Sequence, residues 1–175
     1  FLSSQHALLF GGGKDELKLM NPISSDLDEM RPSIIPNLIS SALKNSNMGN
    51  SDIAIFEVGP QYADASAEGQ QVVAAGIRTG QTAARHWSTV SRSVDVFDVK
   101  GDVVALLEVL GVPVANLQTS VDAPYWYHPG RSGVLRLGPN VFAYFGEIHP
   151  TVLRAMNVDY PIMAFEVFLN NLHSP

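Results

Sequence analysis

The chain has no cysteine, which removes disulfides, thiolate metal sites and thiol nucleophiles from consideration. It has no apolar run long enough to span a bilayer and no signal-peptide pattern. Charge is scarce as well: Asp, Glu, Lys and Arg make up 16% of the residues, against about 25% in an ordinary soluble domain. The deficit is mainly of cations, 11 Lys and Arg against 17 Asp and Glu, giving a net charge of -6. Those cations are scattered, which argues against a general nucleic-acid surface. A chain so short of charge has little with which to solvate its outside, so part of its surface is expected to lie against a partner. Absence of cysteine fits the cytoplasm.

What is present is enough for one domain with a real core. The 175 residues begin at Phe1, not at methionine, so we expect a processed chain or an excised fragment, organised as a single domain, 1–175. Leu17 and Leu19 give a short strand signal before the turn at Asn21-Pro22. Asp26, Asp28 and Glu29 follow as an acidic segment, a solvated turn with a magnesium site as the alternative. Ile34, Ile35, Leu38, Ile39, Ala42 and Leu43 recur at spacings of three and four and predict a helix, with Ser33 as its N-cap and Pro36 in its first turn. Gly49 and its flanking Asn residues stop it.

Two apolar strands follow, Ile53 to Tyr62 and Gln70 to Arg78, paired through a seven-residue connection. Thr79 to Ser93, with Arg85, His86, Trp87 and Arg92, reads as a polar loop. Asp95 caps a second helix through Gly111, whose apolar face carries Val99, Val103, Leu106, Leu107 and Leu110. Gly101 inside it invites close approach of another backbone, and Asp102 is expected to face solvent. Ala123 to Gly133 reads as an aromatic, turn-rich loop. Strands are expected at 116–121, 134–137, 141–147 and 162–169, with a short helix opened by Pro150. The class is α+β, a mainly antiparallel sheet flanked by helices.

Motifs for chemistry are weak. Gly11-Gly12-Gly13-Lys14 lacks the spacing and the hydroxyl residue of a phosphate loop, and reads as a turn. Gly130-Arg131-Ser132-Gly133 is one residue short of a hydrolase elbow, so Arg131 is expected in an ion pair. A small hydrolase using His128, Arg131 and Ser132 stays as a rival. Glu147 and His149 lie two apart, but a zinc site needs a third ligand.

Several short runs, taken in order, resemble a known family. Asn21-Pro22-Ile23-Ser24, Arg31-Pro32-Ser33-Ile34-Ile35-Pro36-Asn37-Leu38 and Phe56-Glu57-Val58-Gly59 are followed by Phe97-Asp98-Val99-Lys100-Gly101, with Trp87 ahead of it. His128-Pro129-Gly130-Arg131-Ser132, Gly146-Glu147-Ile148-His149-Pro150 and Phe165-Glu166 complete the set. This resembles the bacterial phenylalanyl-tRNA synthetase beta subunit, over nearly the whole chain. The resemblance implies a non-catalytic copy of the class II synthetase core. A working site of that class needs an arginine soon after the strand that ends near Gly59. Pro60-Gln61-Tyr62-Ala63 offers none, and the last strand leads to no arginine either. The phosphate clamp for adenylate formation is therefore missing.

By the same resemblance the chain scaffolds a catalytic alpha subunit within an alpha2-beta2 assembly. ATP and magnesium belong to the whole enzyme, and tRNA is contacted mainly by other domains. A relic cleft holding a nucleotide or amino acid is the other alternative. No catalytic and no metal residue is assigned. Arg31, Ile34, Leu38, Tyr125, His128 and Arg131 are the interface or structural candidates, and Arg31 is expected to pair with Asp26, Asp28 or Glu29. The broad stripe of the first long helix is expected to leave an apolar edge for another subunit, together with the loop from Tyr125 to Arg131.

Overall fold

The architecture, from a computed structural model describing residues 1–84 and 86–173, is one six-stranded sheet with a helical element on each face. The elements in chain order are α1 (Ser4–Leu9), α2 (Ile35–Asn47), β1 (Ile53–Tyr62), β2 (Gln70–Thr79), α3 (Val96–Val109), β3 (Gln118–Ser120), β4 (Tyr127–Leu137), β5 (Asn140–Ile148), α4 (Pro150–Ala155) and β6 (Met163–Phe168). The strands lie in the order β1-β2-β6-β5-β4-β3, and every neighbouring pair is antiparallel. The expected hairpin is β1–β2, in register from Ile53 opposite Thr79 to Tyr62 opposite Gln70. The last strand of the sequence runs through the middle of the sheet, between β2 and β5.

Alternation along the strands divides the core. Val73, Ala75, Ile77, Ala164 and Phe168 pack with α2 and Phe10, while Ala74, Ala143, Phe145, Phe165 and Val167 pack with α3. Helix α3 begins with the expected cap, made into a full capping box. Asp95 accepts from the Phe97 and Asp98 amides, and the Asp98 carboxylate accepts from the Asp95 amide at 2.8 Å. Arg92 grips the same Asp98 carboxylate at 2.7 and 2.8 Å, and this bond chiefly holds its pKa down to about 2.

Several expectations are corrected. Helix α2 starts at Ile35, later than the periodicity suggested, and Ser33 instead divides its hydroxyl between the Ile35 amide and a carboxylate of β6. Leu17 and Leu19 form no strand. A single 3-10 turn covers Asp15–Leu17, and only an isolated bridge joins Lys18 to Glu29. The segment from Tyr127 onward is strand, not loop. Asp102 does not simply face water, because Arg78 holds it with two bonds of 2.6 and 2.9 Å. Gly101 meets open space, so among the described residues no other backbone approaches it. Arg85 lies outside the described residues.

The largest correction concerns the apolar stripe of α2. Ile34, Ile35, Leu38, Ile39 and Ala42 are all buried, so Ile34 and Leu38 are core residues and offer no surface to a partner. The stripe packs on β1 and β2, in one core cluster with Phe10, Val152, Leu153 and Met156. Exposed apolar surface sits elsewhere. Helix α3 lies over β5 and β6 and leaves β1 uncovered on that face, so Phe56 and Val58 are 75% and 54% exposed. No helix among the described residues is long and apolar enough to cross a membrane.

Candidate functional site

The recurring motifs lie far apart in sequence, and the fold joins them in pairs. Arg31 extends over the end of β1. Its guanidinium meets the Glu57 carboxylate at 2.7 Å and donates through Nε to the Pro60 carbonyl at 2.9 Å. Its own carbonyl accepts the Tyr62 amide at 2.9 Å. Gly59 completes the fit, since a Cβ there would stand 2.6 Å from Arg31 Nη2.

The pairing of Arg31 with the acidic segment does not occur. Residues 28–30 are laid along Leu2, Leu17 and Leu19 by backbone bonds, and Asp28 and Glu29 accept bonds from other parts of the chain. Asp28 takes the amide and hydroxyl of Ser4 at 2.7 and 2.9 Å. Glu29 is fully buried and accepts from the Gly13 amide at 2.7 Å. It is no part of a solvated turn. Replacing Arg31 with alanine is expected to cost about 2 kcal/mol in urea unfolding, because the side chain is mostly buried and its partners lose a charge-assisted bond. Unchanged stability would remove its structural role.

A second pairing lies beneath α2. Glu166 of β6 is 1% exposed, and three donors converge on its carboxylate. Ser33 Oγ donates to one oxygen at 2.7 Å, and Tyr127 OH and Trp126 Nε1 donate to the other at 2.9 and 3.2 Å. Burial pushes the Glu166 pKa up while the three donors pull it back, and the net shift is upward. Burial, then the Glu166 charge, raises the Tyr127 phenol well above its usual range. The network ties the central strand to the start of α2 and the start of β4. The motif Phe165-Glu166 marks the position in sequence, but nothing local reveals the three partners.

The third pairing joins His128-Pro129-Gly130-Arg131-Ser132 to Gly146-Glu147-Ile148-His149-Pro150. Tyr127 pairs with Ile148 and Ser132 with Gly146, so β4 carries extra residues here and 128–131 bulge outward. The bulge is tied off where Ser132 Oγ donates to the His128 carbonyl at 2.7 Å. Arg131 pairs with Glu147 at 2.7 Å, the ion pair expected of it. His128 stacks on His149 with ring centroids 6.2 Å apart. Each ring accepts a backbone amide at Nδ1, from Gly130 and from Thr151, both at 3.1 Å. A backbone amide can only donate, so both neutral rings carry their proton on Nε2. Tyr125 stays exposed and latches α1, accepting from the Gly11 amide at 2.8 Å and donating to the Leu8 carbonyl at 2.9 Å.

These bonds decide what the arrangement can do. Ser132 gives its proton to a carbonyl, so no base activates it and the hydrolase reading fails. Lys14, after the three glycines, donates to the Ala63 carbonyl at 2.6 Å and does not close a phosphate cradle. Among the described residues, no three His, Asp or Glu side chains gather as a metal would require. The sheet face under α2 is filled by Ile35, Leu38, Ile39, Val73, Ile77 and Phe168. The end of β1, from Pro60 to Tyr62, and Ala63 after it carry no arginine, and the cations beside them, Arg31 and Lys14, are already bound to Glu57, Pro60 and Ala63; the 3-10 turn past β6, Leu169–His173, carries no Lys or Arg.

Comparison with known proteins agrees with this arrangement. The family described as the phenylalanyl tRNA synthetase beta chain CLM domain matches residues 1–169. The phenylalanine--tRNA ligase beta subunit of Rhodospirillum rubrum is 52% identical over the whole chain, and that of Paramagnetospirillum magneticum is 47% identical over 98% of it. In each case the chain spans 22% of the relative's length. Among solved structures, the pyrrolysyl-tRNA synthetase of Desulfitobacterium hafniense superposes with a TM-score of 0.70 over 98% of this chain and 58% of that one. At 13% identity it speaks for the fold alone, a class II synthetase-like core. With the family matched along almost its full length, the chain belongs to the CLM-domain family of the phenylalanyl-tRNA synthetase beta chain.

Proposed function

We propose that this chain is the non-catalytic core of a phenylalanine–tRNA ligase beta subunit and serves as a scaffold for the catalytic alpha subunit. It works in the cytoplasm, within an alpha2-beta2 assembly that charges tRNA with phenylalanine at the expense of ATP. ATP and magnesium act in the alpha subunit, and tRNA is held mainly by other parts of the enzyme. One observation carries the reading. The motif side chains that a catalyst would turn toward substrate are consumed by contacts within the chain: Arg31 by Glu57, Arg131 by Glu147, and Glu166 by Ser33, Tyr127 and Trp126. The filled face beneath α2 likewise supports a scaffold over a ligand-binding relic.

The test has two arms. The purified chain is expected to give no phenylalanine-dependent ATP–pyrophosphate exchange, and no heat on titration with ATP or phenylalanine. Mixed with the alpha subunit, it is expected to co-elute as a complex. Exchange above background would overturn the non-catalytic assignment, and failure to co-elute would overturn the scaffold.

A further inference from the structure

The two end strands of the sheet are finished differently. At one end β3 is three residues long and polar, Gln118-Thr119-Ser120, and offers little for another strand to pair with. At the other end β1 runs for ten residues, pairs with β2 without a bulge and is apolar through its first half, Ile53-Ala54-Ile55-Phe56.

Backbone groups in a strand point to its two sides in alternation. Ala63 donates inward to the Gly69 carbonyl, whereas Tyr62 donates outward to the Arg31 carbonyl. The even-numbered residues of β1 therefore turn their N–H and C=O away from β2. Toward the end of the strand these groups are used. The Pro60 carbonyl accepts from Arg31 Nε, Pro60 has no N–H to offer, and Tyr62 is held by Arg31. Ala54, Phe56 and Val58 come before this cover, and among the described residues nothing bonds to their outward backbone groups. Their side chains are exposed as well, on the face that α3 leaves uncovered. The one charge in this stretch, Glu57, points to the other face and is paired with Arg31. An edge open in both backbone and side chains can take an added strand.

We propose that β1 pairs with β1 of a second copy of this chain, antiparallel, about a two-fold axis at Phe56. In that register the stretch is complementary to itself. Phe56 faces Phe56, and Ala54 faces Val58 on either side of it. All of these residues turn their backbone outward, so each opposed pair exchanges both of its hydrogen bonds. On the exposed face aromatic meets aromatic. On the other face Ile55 lies opposite Glu57, so no like charges stand directly opposite, and each Glu57 keeps its own Arg31. The lengths agree too, because Ile53 of the second copy reaches Gly59, just short of the Arg31 cover at Pro60. Neighbouring registers fit worse. Centring the pair on Glu57 sets two carboxylates opposite each other and brings Ala54 to Pro60. Centring it on Ile55 sets Val58 against Asp52, beyond the end of the strand. Two six-stranded sheets thus join into one, and this interface is isologous. The pairing does not depend on the scaffold role proposed above.

Because Phe56 faces itself, a reciprocal charge test is available. Sedimentation equilibrium of the chain is expected to show a dimer with a dissociation constant of about 10–100 µM, as suits a small contact. Phe56→Lys and Phe56→Glu are each expected to weaken it at least about tenfold, and an equal mixture of the two to restore it. Val58→Pro removes one outward N–H, leaves the bonds to β2 in place, and is expected to weaken the dimer as well. The Phe56 side chain is exposed, so both charged variants are expected to keep the melting temperature of the monomer, which separates lost pairing from lost folding. A chain still monomeric at about 1 mM, a dimer indifferent to Phe56→Lys, or a mixture that fails to re-form the dimer overturns the inference. So does a monomer whose binding to the alpha subunit is lost with Phe56→Lys, since the edge then belongs to a different partner.

Discussion

Glu166→Ala is expected to destabilise the chain by about 4 kcal/mol, and Glu166→Gln by far less. The alanine leaves three donors, Ser33 Oγ, Tyr127 OH and Trp126 Nε1, facing an empty site in the core. Glutamine keeps the volume and one carbonyl acceptor, and the two hydroxyls can rotate to accept from its amide. The pair also separates in pH. The folded pKa of Glu166 lies above its ordinary value of 4.5, so the folded state favours the protonated form. Stability from this group is fully present below that value and is lost as pH rises through the raised one. The glutamine variant has no such loss, so it should gain on the natural chain from about pH 5 upward. Urea unfolding of both proteins at several pH values measures this, and a pH-independent difference would show that the buried carboxyl does not titrate differently on folding.

The second large effect is expected at Gly146. A Cβ there would run into the Ser132 side chain, the Ser132 Cα at 2.5 Å and the Arg131 carbonyl oxygen at 2.6 Å. These are mainly backbone obstacles, fixed by the bulge of β4, and cannot swing away. Gly146→Ala should therefore cost about 4 kcal/mol or prevent folding, by forcing apart the two strands that carry the Arg131–Glu147 pair and the histidine stack. Gly101→Ala is the control. It meets open space on a helix and is expected to stabilise by about 1 kcal/mol. Thermal unfolding of the two variants should move in opposite directions. A Gly146→Ala protein as stable as the natural one would mean that the bulge is easily remodelled.

Local features of the fold were legible because their causes are local. Ile53 to Tyr62 and Gln70 to Arg78 declare their strands by composition, and the small polar residues between them declare the hairpin. Asp95 and Asp98 carry their capping box within four residues. Tyr127 to Gly133 misled because proline and glycine read alike in a loop and in a bulge; only the opposite strand distinguishes the two. Arg31 misled for a related reason. The acidic residues nearest in sequence were reasonable partners, but the bond goes to Glu57, brought near when β1 passes beneath the Arg31 segment. Helix periodicity gave the apolar stripe of α2 but could not choose between core and interface for Ile34 and Leu38, and burial in the fold places both in the core.

The central place of β6 has a consequence for how the chain matures on the ribosome. Synthesis first delivers the β1–β2 hairpin and then the β3–β4–β5 meander, two pieces with no strand pairing between them. Strand β6 joins them, pairing Val73 with Phe168 on one side and Glu147 with Met163 on the other, so its contacts span up to about a hundred residues. Such late, long-range closure is slow. Until it happens, the inner edges of β2 and β5 are unpaired, and the alanine- and valine-rich edge of β2 is open to wrong neighbours. The nascent domain thus spends its most adhesive period waiting for six residues, and a chaperone that shields strand edges should raise its yield more than one that binds loops.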